Sequence, residues 1–185
     1  MFTEDIARIS VISKTNKNEI GKGIELFSLY LQKKWGIQEE FVSNLVGAEF
    51  YDPKSFVLKA EGLGKFMGVV CVAPFEVINF PDTKEKDKLL DFFEGKKIKP
   101  QEIIHIGGLG LDHGNLMIDL IWWSRFLIFA ALKTGSSQGW KYAVGQTKSD
   151  DTVISKIAKN FRFRELSIKT FFEGVSESWF LKKLC

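Results

Sequence analysis

Hydrophobic and polar positions alternate, cluster and recur along this chain in a way that predicts a mixed set of strands and helices. Ala7 to Ser13 alternates and is rich in Ile and Val, the pattern of a half-buried strand. Ile20, Ile24, Phe27 and Leu31 then recur at helical spacing, with Leu26, Leu29 and Tyr30 widening the stripe. Asn18 is placed to cap this helix, and Gly36 to end it. A short second helix is expected from Gln38 to Leu45. Ser55 to Ala60 and Lys65 to Ala73 read as strands, joined through Glu61-Gly62-Leu63-Gly64 as a hairpin, with Pro74 stopping the second. Asp82 to Glu94 reads as a helix closed by Gly95.

Glu102 to Asp112 is the next strand. It carries Gly107, Gly108 and Gly110, and glycines inside a strand signal a bulge or the close approach of a backbone or ligand. Asn115 can cap a helix from Leu116 to about Thr134. Between Leu116 and Leu132 only Asp119, Ser124 and Arg125 interrupt its apolar run, so it should pack deeply in the core. It falls short of the roughly 20 apolar residues a membrane span needs. Trp140 to Thr147 is a strand. Asp150 or Asp151 caps a helix through Lys159, and two last strands, Glu165 to Glu173 and Glu177 to Leu184, turn at Gly174-Val175-Ser176. Neither a repeat nor a linker interrupts residues 1–185, which read as one α/β domain with a mixed sheet of about seven strands flanked by helices.

Composition narrows the function classes. A net charge of +3, with no basic run interleaved by aromatics, argues against a nucleic-acid surface. Cys71 and Cys185 have no metal-ligand spacing, and His105 and His113 alone make no metal cluster, so no metal is expected. With no secretory signal at the N-terminus, the chain reads as cytosolic with free thiols. The 17 Phe and 5 Trp supply a core, and allow an interior pocket for an apolar ligand. No GxSxG elbow, P-loop or dinucleotide fingerprint occurs.

The order strand, two helices, three strands, helix, strand, helix, two strands, with an extra helix near residue 90, resembles the GNAT superfamily of acyl-CoA N-acyltransferases over nearly the whole chain. Gly68 in the third strand, Asp112 closing the fourth, and Phe163-Arg164-Glu165 after the last helix are similar to that family's local patterns. The resemblance implies transfer of an acyl group from acyl-CoA (acetyl-CoA or longer) to a small-molecule amine. It also allows an acyl carrier protein as the donor. It implies cofactor contacts along Gly107, Gly108, Leu109, Gly110 and Leu111 and in the loop of His113, Gly114 and Asn115, with Glu102 and His105 as base candidates on the fourth strand.

Two departures accompany it. The family's Arg/Gln-x-x-Gly-x-Gly/Ala pyrophosphate loop corresponds to Asp112-His113-Gly114-Asn115-Leu116-Met117-Ile118-Asp119, with one glycine and no Lys or Arg. The Tyr that many members use to protonate the leaving thiolate is also missing. An alignment on Phe163 puts Ala158 there and Arg162 at the family's Gly, while one on Asn160-Phe161 puts Lys156 there. These departures keep a second class open, a non-catalytic GNAT-like or PAS/GAF-like module for a small apolar ligand. An exposed Trp122 or Trp123 would suit a third, an interaction domain.

Overall fold

The computed structural model describes residues 7–37, 49–78, 80, 83–112, 117–172 and 174–184. The described elements are β1 (Arg8–Val11), α1 (Lys17–Trp35), β2 (Phe56–Gly62), β3 (Lys65–Pro74), α2 (Thr83–Gly95), β4 (Ile103–Leu111), α3 (Met117–Ser137), β5 (Tyr142–Lys148), α4 (Thr152–Asn160), β6 (Arg164–Phe172) and β7 (Val175–Lys183). The strands form a seven-stranded sheet in the order β1-β2-β3-β4-β5-β7-β6. The expected helix at Gln38–Leu45 lies outside the described residues. A helical turn occupies 49–51.

Local chemistry sets the boundaries. The cap of α1 is Asn16 rather than Asn18. Its side chain accepts from Glu19 N at 3.2 Å, which starts the helix one turn earlier than the apolar stripe indicates. Asp151, not Asp150, caps α4 by accepting from Val153 N and Ile154 N. The β2–β3 hairpin turns on Leu63 and Gly64, whose φ angles of 51° and 70° are both left-handed, as a two-residue primed turn requires.

Both faces of the sheet are covered, which explains why β3 reads as a continuous apolar run. Its alternate residues serve different layers. Val69, Cys71 and Ala73 pack with Ile20 and Leu31 of α1 and with Phe50. Val70 and Val72 pack with Leu127, Ile128 and Ala131 of α3, and Ile157 of α4 joins that same layer. On the α1 side, α2 adds Leu89 and Phe93 over Ile103, Val144 and Trp179. As expected from its pattern, α3 lies against the sheet. Among the described residues no helix is long and apolar enough to cross a membrane.

Two glycines of β4 shape the centre of the sheet. Val69 faces Gly110 while Cys71 faces Gly107, so two residues of β4, Gly108 and Leu109, oppose one of β3, Val70. The extra residue falls at the bulge expected from the glycine-rich sequence. Gly108 lies there at φ 60°, where an added Cβ would also stand 2.5 Å from the Phe50 ring. Gly110 lets α1 close onto β4, since a Cβ there would stand 2.5 Å from Phe27 N.

Candidate active site

The bulge coincides with a split in the sheet. β4 and β5 run parallel and pair only where Ile103, Ile104 and His105 meet Tyr142, Ala143 and Val144. Beyond His105, β4 remains paired to β3 and β5 to β7, while their facing edges part. A bulged strand bends, and the bend at Gly107–Gly108 carries β4 away from its neighbour.

A cavity of about 100 Å³ fills the opening. Ile106, Gly107, Gly108 and Leu109 line it from β4, and Gly145, Gln146 and Thr147 from β5. Tyr30 on α1 and Ala158 on α4 also line it, although these helices lie on opposite faces, so the cavity passes through the sheet. Tyr30 Oη donates to Asp151 Oδ2 at 2.9 Å and ties α1 to the cap of α4 across the split. Burial and the adjacent Asp151 carboxylate hold the Tyr30 phenol well above its ordinary pKa, so it stays protonated.

The lining is largely apolar, and the hydroxyl of one lining residue is sealed off beside it. Thr147 is 2% exposed, and its Oγ1 has no hydrogen-bond partner among the described residues. A buried orphan of this kind costs free energy unless a ligand or water meets it. Thr147→Val, which keeps the shape and removes the oxygen, is therefore expected to stabilise the empty protein by about 1 kcal/mol. Urea unfolding checks this through a higher midpoint at unchanged slope.

A polar network stands against the cavity on the α1 side. His105, only 2% exposed, places Nδ1 3.2 Å from Glu49 Oε2 and hydrogen-bonds Gln146 Oε1 through Nε2. Burial opposes a charged imidazole. The Glu49 carboxylate, the two hydrogen bonds and nearby Glu177 outweigh it, and the pKa ends above its ordinary value. With both nitrogens facing acceptor oxygens, the ring is suited to holding two protons. Gly107 belongs to this arrangement, because a Cβ there would collide with the His105 ring.

Glu177 on β7 extends the network. Its Oε2 accepts from Thr170 Oγ1 at 2.8 Å, and Trp179 Nε1 donates to that same Thr170 oxygen at 2.6 Å. Burial pushes the Glu177 carboxyl up to about 7. The Thr170 hydrogen bond and His105 temper the rise, and Glu85 adds to it.

The residues singled out from sequence separate into groups. Gly107, Gly108 and Leu109 line the cavity, and His105 touches its wall through Gln146. Gly110 lies under α1, and Leu111 belongs to the core beneath α3. Glu102 sits in a 3-10 turn before β4 and pairs with Lys141 at 2.6 Å, apart from the cavity lining. Its hydrogen bond to Lys141 lowers its pKa, which suits an ion pair better than a base. His113, Gly114 and Asn115 lie outside the described residues. After α4 the left-handed residue is Arg162, at φ 62°, which favours the alignment on Phe163. Ala158 accordingly lines the cavity, while Lys156 is exposed. Glu49, Gln146, Thr147 and Glu177 were missed. Only Glu177 left a trace, as a carboxylate two residues before a Trp within an expected strand.

No family model matches the sequence, and no curated protein matches it by sequence. Solved structures do match in shape. An N-acetyltransferase from Staphylococcus aureus Mu50 superposes with a TM-score of 0.65 at 11% identity, over 97% of this chain and 99% of that one. An N-acyl amino acid synthase from uncultured soil microbes gives 0.67 at 10% identity, over 97% and 90%. A Salmonella typhimurium protein described as an acetyltransferase, solved with its cofactor acetyl-CoA, gives 0.62 at 10% identity, over 97% and 95%. The chain has the fold of the GNAT acyltransferases.

Proposed function

We propose that this protein is an acyltransferase that moves an acyl group from a thioester donor, acyl-CoA or an acyl carrier protein, to an amine. The observation that carries this reading is the split between β4 and β5. It presents two inner strand edges to a through-sheet cavity, and such edges can hydrogen-bond an extended chain that carries amides. The residues fit a pantetheine-like arm. Ile106 to Leu109 and Gly145 to Thr147 would flank it. A bound thioester supplies the activated acyl carbonyl.

The network supplies a donor for acyl transfer. With its oxygen bound to His105, Gln146 keeps its amide N–H groups to donate to a carbonyl oxygen that gains charge. The supporting likeness to the acetyltransferases above is one of fold. A second reading, ligand binding without turnover, is favoured by Ala158, which puts no proton donor on that wall of the cavity.

Melting the protein with CoA, acetyl-CoA, palmitoyl-CoA and free fatty acid tests the proposal. Acetyl-CoA at about 100 times its dissociation constant should stabilise the fold by about 2.7 kcal/mol. Stabilisation by fatty acid alone would support the binding module. No shift with any thioester would remove the case for a CoA-dependent enzyme. Release of CoA in the presence of an amine then separates turnover from binding.

A further inference from the structure

The outer face of α3 is unlike the rest of the described surface. Trp122 is 49% exposed and Phe129 53% exposed. Trp122 is braced from below by Trp123 and Phe126, with ring centroids 4.6 and 5.1 Å away. Arg125 and Lys133 are exposed with them, and they are the charged residues among the described side chains of α3. Trp122, Arg125, Phe129 and Lys133 recur at three- and four-residue steps, so aromatic and basic groups alternate along one helical stripe.

The β2–β3 hairpin adds to this face. Its tip abuts the helix, since a Cβ on Gly62 would stand 2.8 Å from the Trp123 ring. At that tip Leu63 is 73% exposed and left-handed, and exposed Lys65 follows it. Gly, Asn or Asp would relieve both the backbone and the solvation at that turn position. An exposed leucine there needs an apolar contact to be favourable.

We propose that this face rests on an anionic lipid surface, with Trp122, Phe129 and Leu63 entering the boundary of headgroup and acyl chain. Lys65, Arg125 and Lys133 then meet lipid phosphates. The Trp122 ring with its N–H suits that boundary, Phe129 and Leu63 suit its acyl side, and basic residues among them suit negative lipid. A second copy fits less well. A two-fold contact centred between Trp122 and Phe129 would bring Arg125 against its own copy, with like charges opposed. The face is a convex helix with a projecting turn, which a bilayer accommodates without a matching groove.

The test is co-sedimentation of the full chain with neutral phosphatidylcholine vesicles and with vesicles containing phosphatidylglycerol, alongside light scattering without lipid. Binding to the anionic vesicles should exceed binding to the neutral ones. The pair Trp122→Ser and Phe129→Ser should lower partitioning about tenfold or more. The pair Arg125→Gln and Lys133→Gln should reduce its salt dependence, leaving the share of Lys65. Phe171→Ser, at an exposed aromatic elsewhere, should leave binding unchanged. Leu63→Ser tests the same contact at the hairpin tip if a change in α3 lowers the melting temperature. No binding to anionic vesicles overturns the proposal, as does binding indifferent to Trp122, Phe129 and Leu63. A dimer in lipid-free solution that Trp122→Ser dissolves also overturns it, and assigns the face to a second copy.

Discussion

Gly110→Ala is expected to destabilise the protein by about 3 kcal/mol, a large fraction of a typical domain's stability. The added methyl would stand 2.5 Å from Phe27 N and 2.9 Å from both Leu26 C and Phe27 Cα. These are backbone atoms inside α1, so no side-chain rotation relieves the overlap and the helix must move off β4. That movement loosens the layer formed by Ile20, Leu31, Val69 and Cys71, all fully or nearly fully buried. Urea unfolding should show a lower midpoint at unchanged slope. Gly95→Ala, where nothing lies within 4 Å and φ is not left-handed, serves as the control and should cost nothing. Equal midpoints for Gly110→Ala and the parent would mean that α1 is not seated on β4 as described.

The second large effect is a dependence on pH. Glu177 keeps its proton in the folded protein up to about 7, against a value of 4.5 in the unfolded chain, because burial disfavours its charge. Below both values the carboxyl is protonated in either state and has no effect. Between them only the unfolded chain ionises, so folding loses stability as pH rises, by about 1.4 kcal/mol per unit for one proton. The total by pH 8 is about 3 kcal/mol. His105 pushes the same way. Its pKa is raised in the fold, so its contribution is present below the unfolded value and is lost as pH rises through the folded one. Glu177→Gln keeps an oxygen for Thr170 and removes the titration. It should match the parent near pH 4.5 and exceed it in stability at pH 8. Parallel stability profiles for the two proteins would show that Glu177 does not bear its proton in the fold.

The order of elements was legible because both periodicities were strong and the punctuation was local. The hairpin glycines and an aspartate cap at 150 or 151 each act within a few residues. The bulge in β4 was legible for the same reason, since three glycines in one strand need a backbone cause. The network around His105 was not. Glu49 and Gln146 lie 56 and 41 residues away in sequence, and only the stacking of β5 and the 49–51 turn around β4 brings them to one ring. Glu102, by contrast, lies on the same strand as His105 in sequence terms and ends in an ion pair with Lys141. Strand position indicates which face a residue takes, whereas a catalytic grouping depends on which distant strands arrive beside it.

Three residue pairs hold the whole sheet together at its middle. On one side stand β1 to β4, on the other β5 to β7, and each set is laddered strand to strand along most of its length. Mechanically these are two plates sharing one corner at Ile103–His105, with the Tyr30–Asp151 hydrogen bond as a strut across the open end. The width of the slot is then a property of the angle between the plates. A substitution at that corner, such as at Tyr142 or Val144, can retune what the slot admits without touching any side chain that lines it.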